Sequence, residues 1–223
     1  MIKVITNLIA DGGISSKNSP NYSIESFLIS KNKNYTFAIK SDVYQTKDNV
    51  FILLDDEIKK KLAINNSYIK SHTYCQLKKL NIGNKVKKHL IISLNELINI
   101  SNNQDNIILN ISDNIDISTL KNIINKNMHI NWYISSYSLD MLEKLLNENP
   151  IYKTGIFIKD INNLNFSFDF YIIDKLQLKD IKVIEKLKTL NNVFIDNISS
   201  KKELNYFNKK NFFFISKHIN KLN

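Results

Sequence analysis

Ala38-Ile39-Lys40-Ser41-Asp42-Val43-Tyr44-Gln45-Thr46-Lys47-Asp48-Asn49-Val50-Phe51-Ile52-Leu53-Leu54-Asp55-Asp56 is the stretch that decides the fold. It covers most of one strand-like run, Thr36 to Thr46, and all of a second, Val50 to Asp55, separated only by Lys47-Asp48-Asn49. Parallel neighbours need a crossover of a dozen or more residues, so part of this pair is predicted to form an antiparallel hairpin. Working outward, Val4 to Ala10, Asn106 to Ser112, His129 to Tyr137, Thr154 to Lys159, Phe168 to Asp174, Asn192 to Ile198 and Asn211 to Ser216 are further apolar runs bounded by polar turns. Helical spacing fills the intervals: Ser23 to Lys31, Thr73 to Leu80, Ser93 to Ile100, Ser118 to Lys126, Leu139 to Asn147, Leu178 to Leu190 and Lys201 to Lys209. Such alternation makes βαβ units and a parallel sheet.

With 223 residues the chain accommodates one domain spanning 1–223, close to the size of an eight-stranded α/β barrel. The predicted fold is an α/β (β/α)8 TIM barrel, irregular around the hairpin at residues 36–56. Nine strand candidates are one too many for eight staves, and Phe168 to Asp174 is the first suspect for an excursion outside the barrel. Ser93 followed by Glu96 has the spacing of a capping box, which supports a helix start there.

The net charge of +10 invites a nucleic-acid partner, because clustered lysines attract phosphate. Yet all 31 basic residues are Lys. Arg supplies the bidentate contacts to phosphate and guanine, so its absence argues against sequence-specific DNA binding. No apolar run reaches the roughly 18 residues of a membrane span, and a cytoplasmic location is expected. The single cysteine, Cys75, forms no internal disulfide and reads as an ordinary thiol.

In a barrel of this class the reactive groups come from the C-terminal ends of strands. That rule selects Asp11, Asp42, Asp55 and Asp56, and further along Asn110, Ser112, Ser135, Ser136 and Asn197. Four acids at the ends of the first three strands have the oxygen chemistry of an Mg²⁺ or Ca²⁺ site. Their plainer reading is as solvated loop acids and helix caps.

The order of these motifs resembles the glycerophosphodiester phosphodiesterase family. Ile9-Ala10-Asp11-Gly12-Gly13 stands where the family has Ile-Ala-His-Arg-Gly, and Pro20-Asn21-Tyr22-Ser23-Ile24-Glu25-Ser26-Phe27 where it has Pro-Glu-Asn-Thr-x-x-Ala-Phe. Lys40-Ser41-Asp42-Val43 continuing to Thr46-Lys47-Asp48-Asn49 is similar to Glu-x-Asp-Val-x-x-Thr-Lys-Asp-Gly, and Val50 to Asp56 to the strand ending in His-Asp. Leu109-Asn110-Ile111-Ser112 is similar to Ile-Glu-Ile-Lys, and Phe214-Ile215-Ser216-Lys217 stands at the closing Ile-Thr-Asp. The resemblance implies a TIM barrel acting on phosphodiesters. It implies metal ligands at Lys40, Asp42 and Asn110, of which only Asp42 keeps the family's residue, and acid/base residues at Asp11 and Asp55, where the family has two histidines. Gly12 replaces an Arg that would bind phosphate and Ser112 a Lys.

An ammonium at a cation site repels the cation and pairs with nearby carboxylates. Losing both histidines removes the groups best suited to proton transfer near neutrality. The expectation is therefore a catalytically degenerate member with no cofactor, retaining a phospho-ligand or a protein partner. Lys40 and Lys47, with Gly12 and Ser112, are its candidate ligand-binding residues. Two rivals stay open: a metal-dependent hydrolase using Asp42, Asp56 and Asn110 to hold Mg²⁺ or Ca²⁺, and non-specific nucleic-acid binding through general basicity. The ion-pair argument requires Lys40 to face the barrel mouth, since a one-residue slip would turn it to the other face.

Overall fold

The computed structural model describes residues 7–146, 150–158, 167–179, 181–187, 189–207 and 212–222. In chain order the first elements are β1 (Leu8–Asp11), α1 (Ile24–Lys31), β2 (Thr36–Gln45), β3 (Phe51–Leu53), α2 (Asp56–Leu62), α3 (Asn66–Ser71) and α4 (Tyr74–Leu77). There follow β4 (Ile92–Ser93), α5 (Leu94–Ile100), β5 (Asn106–Ile111), α6 (Ile117–Lys126), β6 (Asn131–Ser136) and α7 (Leu139–Leu146). The last third holds β7 (Lys153–Ile158), β8 (Phe170–Asp174), a 3₁₀ turn (Lys175–Lys179), α8 (Ile181–Leu187), β9 (Val193–Asp196), α9 (Lys201–Phe207) and β10 (Phe213–Ser216).

Eight strands run parallel in the order β1, β2, β5, β6, β7, β8, β9, β10, and β10 returns to β1 through Ile9 opposite Ile215. The barrel is thus closed and its staves have no free edge. The hairpin forms as the short Lys47-Asp48-Asn49 linker requires. Val43 to Gln45 pair antiparallel with Phe51 to Leu53, and β4 adds a second antiparallel rung to β3. At its turn Asn49 takes φ 59° and the Thr46 hydroxyl accepts from the Val50 amide at 3.0 Å.

One expectation is corrected here. Phe168 to Asp174 contains a stave, β8, paired with β7 and β9, and the strands outside the ring are β3 and the two-residue β4. Phe170, Ile172 and Phe194 alternate inward on β8 and β9, and the rings of Phe170 and Phe194 stack at 4.9 Å in the barrel interior. Gly155 on β7 leaves the room: a Cβ there would lie 2.3 Å from the Phe170 ring. The interior is filled by Ile9, Ala38, Ile108, Tyr133, Phe157 and Ile215 with these rings, a packed core rather than a pore. The opposite faces of the strands bury Leu8, Ile39, Ile107 and Leu109 against the helices.

Side chains alternate along a strand. Ala38 faces inward, so Lys40 and Asp42 do too, at the end where the strands finish. By the same count Asn110 follows Ile108, Ser135 follows Tyr133, and Asp196 follows Phe194. The sequence puts apolar residues at the bottom and middle of the barrel and polar ones at its C-terminal mouth. No helix among the described residues is long and apolar enough to cross a membrane.

Candidate functional site at the barrel mouth

The mouth is organised first by the turn after β1. Gly12 takes φ 67° and Gly13 φ 81°, which residues with a Cβ rarely adopt. The Gly12 amide donates to the Lys40 carbonyl at 2.8 Å, tying the end of β1 to β2. The Gly12 carbonyl accepts from the Tyr22 amide at 2.6 Å and the Ser26 hydroxyl at 2.8 Å. Asn21 donates through Nδ2 to the carbonyls of Asp11 and Gly13 at 3.0 and 2.7 Å. Ser23 and Ser26 form a reciprocal capping box that starts α1.

These contacts set Tyr22, fully buried, across Gly12. Its hydroxyl donates to Asp11 Oδ1 at 3.0 Å and accepts from the Asp42 amide at 3.4 Å. Burial, with the carboxylates of Asp11 and Asp42 nearby, pushes the phenol well above its ordinary range, so it stays a donor.

Lys40 lies at the centre. Only 3% exposed, it places Nζ 3.3 Å from Asp11 Oδ1 and 3.3 Å from Asp42 Oδ1. Burial opposes its charge, but the attraction of Asp11 and Asp42 outweighs this and holds the ammonium well above the usual lysine range. Asp42 also accepts from Asn110 Nδ2 at 2.9 Å. Its carboxyl is raised by burial, which the neighbouring ammonium only partly offsets. Asp55 has two tasks. It caps α2 by accepting from the Ile58 amide at 2.7 Å, and it pairs with Lys217 Nζ at 2.6 Å. Burial works against the Lys217 charge, but the Asp55 carboxylate carries it up to about 12. Asp56 pairs with Lys59 at 2.8 Å and is largely exposed.

Asp11, Lys40, Asp42, Asp55, Asp56, Asn110 and Ser112 all line one cavity of about 330 Å³. Four candidates do not line it: Ser135 and Ser136 are fully buried, and Lys47 and Gly12 lie elsewhere. Lys47 lies exposed on the hairpin turn, its amide donating to the His72 carbonyl at 3.0 Å. Gly12 is covered by the Tyr22 ring, which occupies the direction its side chain would take. Of the histidines, His89 is buried away from the cavity between Glu25, 3.2 Å from Nδ1, and the Asn18 carbonyl, 2.7 Å from Nε2.

Sequence reasoning missed Asp196, Lys217 and Lys59, which also line the cavity. The strand-end rule would have found the first two, because Asp196 ends β9 and Lys217 directly follows β10. Asp196 is raised to about 6, chiefly by burial, with the Lys40 charge pulling the other way and Asp11 adding to the rise. A carboxyl whose folded value lies above the unfolded one weakens the fold as pH rises from about 4 through 6. Asp196→Asn is therefore expected to stabilise the protein by about 3 kcal/mol above pH 6, the gain fading toward pH 4. Thermal melts of both proteins across that range check it. A gain that grows on acidification would show that Asp196 is stabilised as the anion.

A hard divalent cation needs several carboxylate or carbonyl oxygens around it. Here the inward oxygens of Asp11 and Asp42 already face one ammonium, and among the described residues no three His, Cys, Asp or Glu side chains are grouped to hold an ion. A divalent ion about 4 Å from Lys40 Nζ would meet a repulsion of about 8 kcal/mol at an effective dielectric of about 20. The residues present do not fit the metal that the resemblance implies.

No family model and no curated protein matches the chain. Solved structures do. A phosphodiesterase from Oleispira antarctica, in complex with the product sn-glycerol-3-phosphate, aligns with a TM-score of 0.79 at 15% identity, over 98% of this chain and 95% of that one. Glycerophosphodiester phosphodiesterases from Thermotoga maritima and Agrobacterium tumefaciens align with TM-scores of 0.77 and 0.74 at 16% and 13% identity. The first covers 96% of this chain and 95% of that chain, the second 97% and 98%. The chain has the barrel fold of the glycerophosphodiester phosphodiesterases.

Proposed function

We propose that this chain is a glycerophosphodiester phosphodiesterase-like barrel that binds a small ligand at its mouth without hydrolysing it. The observation that carries the reading is the Lys40 ammonium, 3.3 Å from both Asp11 and Asp42. It supplies a fixed positive charge from within the chain, and a fixed ammonium cannot generate a hydroxide from a bound water as a metal does. The two carboxylates at the acid/base positions are also committed elsewhere. Asp11 is held by Lys40 and Tyr22, and Asp55 by Lys217 and the N-terminus of α2. Proton transfer by either would break an ion pair and at least one hydrogen bond. A small phosphodiester or phosphate is a candidate ligand, supported by the product complex of the Oleispira protein, with Lys59 and Lys217 at the rim as point charges.

One observation favours the rival hydrolase reading. Asp196 at about 6 is in the range where a carboxyl serves as a general acid or base. The deciding measurement is release of glycerol 3-phosphate from a panel of glycerophosphodiesters with Mg²⁺, Ca²⁺ or chelator. We expect no release above the buffer control in any condition. Turnover that disappears in Asp42→Ala would establish a rebuilt acidic active site instead, and further loss in Asp196→Asn would assign the proton-transfer group.

A further inference from the structure

We propose that the loop between α4 and β4 docks the chain on an anionic lipid bilayer, with Val86 as the point of entry and lysines around it; this stands apart from what the mouth holds. The loop is closed on itself. Its neck is tied by the Ile82 amide, which donates to the His89 carbonyl at 2.8 Å, and by Asn81 Oδ1, which accepts from the amides of Gly83 and His89 at 2.9 Å each. Its tip is tied by Asn84, whose Oδ1 accepts from the amides of Val86 and Lys87 at 2.8 Å each and whose own amide donates to the Lys87 carbonyl at 3.1 Å. A Cβ on Gly83 would lie 2.2 Å from that same carbonyl, so the two sides of the loop are in contact. The Lys61 ammonium reaches from α2 to the Ile82 carbonyl at 2.7 Å and fixes the neck to the barrel. A tip fastened in this way holds Val86 outward at 95% exposure, against 70% for Met128, the next most exposed large apolar side chain among the described residues.

Charge selects the occupant. Lys85, Lys87 and Lys88 flank Val86 and all are exposed; of the three only Lys87 has an acid within ion-pair distance among the described residues, Glu25 at 3.5 Å. Neighbouring elements add to the positive charge. Lys60 and Lys61 on α2 are exposed, and so is Lys17, beside the Asn18 whose carbonyl His89 Nε2 meets at 2.7 Å. Clusters of roughly four to eight lysines are the pattern that binds acidic lipid, each lysine near the surface adding about fivefold. An aliphatic side chain standing among ammonium groups matches a bilayer in depth: Val86 enters the acyl boundary while the lysine stems lie along it and keep their charges at the headgroups. A nucleic acid would take the charges but offers no apolar layer to Val86, and the chain has no Arg for bidentate phosphate contacts. A second copy of this chain would bring its own net charge of +10 against the patch.

Cosedimentation of the intact chain with vesicles tests this, comparing phosphatidylcholine alone with phosphatidylcholine carrying about a quarter phosphatidylserine. Binding is expected to the acidic vesicles only, and is expected to fall as added salt screens the lysines. Lys85→Gln, Lys87→Gln and Lys88→Gln together should weaken it by about a hundredfold. Lys126→Gln, Lys144→Gln and Lys186→Gln together remove the same charge from exposed sites on α6, α7 and α8 and should weaken it by less than about fivefold. Val86→Ser leaves the charge alone and should cost about fivefold. All these side chains are exposed, so the melting temperatures should stay at that of the natural chain. No binding to the acidic vesicles, equal losses from the two lysine triples, or a Val86→Ser protein that binds as the natural chain does would each overturn the proposal. Duplex DNA bound more tightly than the acidic vesicles would overturn it in favour of a nucleic acid. Phosphodiester hydrolysis by the natural chain would refute the preceding reading and leave these outcomes unaffected.

Discussion

Lys40→Met is expected to lower stability at neutral pH by about 3–5 kcal/mol, because it strands the buried Asp11 and the half-buried Asp42 carboxylates without their counter-charge. For a chain of this size that is a fall in melting temperature of about 10 °C. Asp11 is buried in the mouth and Asp42 half-buried beside it, its carboxyl already raised by burial even with the ammonium present. The variant should then recover on acidification, as the stranded carboxyls take up protons. It should also recover with millimolar Ca²⁺, since two carboxylates and the free Asn110 Oδ1 make an oxygen-rich hole once the ammonium is gone. The natural chain should show neither response at the mouth. Melting curves in Ca²⁺ and in chelator, side by side, check both halves. A Lys40→Met protein as stable as the natural one would mean that the ion-paired triad contributes little and that its metal-substitute role is wrong.

Gly12→Ala should cost about 3 kcal/mol, the sum of a left-handed backbone that disfavours a Cβ and a clash with a buried ring. The backbone stands at φ 67°, and a Cβ would meet Tyr22 Cδ2 at 2.2 Å. Tyr22→Ala alone is also costly, since the ring is fully buried and its hydroxyl joins Asp11 to the Asp42 amide. The double variant should be less damaged than the two single losses added together, because the clash exists only while the ring does. Strict additivity in a denaturant titration would show that the ring and Gly12 are not coupled. The same packing explains why no arginine could stand at this position in this chain: the Tyr22 ring fills the path that its side chain would need.

Much of the architecture could be read from spacing. The three-residue linker between two strand-like runs left only a hairpin, and apolar runs alternating with helical spacing left only a parallel barrel. What escaped did so for identifiable reasons. Helix α2 buries only Ile58 and α3 only Ile69, so neither has an apolar stripe that a periodicity search detects; both are started by side-chain caps, Asp55 and Asn65. Strand β4 has two residues and exists only because β3 offers it a partner. Nine strand-like runs exceed eight staves, and nothing in the residues of Phe168 to Asp174 shows that Val50 to Asp55 is the surplus. At the site, Lys40 was legible because its position in the motif was fixed to the residue. Asp196 was not, because the apolar run Asn192 to Ile198 overshoots the strand end, which falls at Asp196, and so points to Asn197 instead.

Asp55 and Lys217 meet at 2.6 Å across 162 positions of sequence, and the Phe214 amide reaches the Asn7 carbonyl at 2.9 Å. The mouth therefore cannot be completed before β10 is made, and β10 follows every other stave in the sequence. Until it arrives, β1 and β9 are bare strand edges, β1 lined by Leu8 and Ile9 and β9 by Phe194 and Ile195. Unpaired edges of this kind recruit other chains. The nascent polypeptide is most exposed to misassembly in the interval just before Phe213 to Ser216 closes the ring.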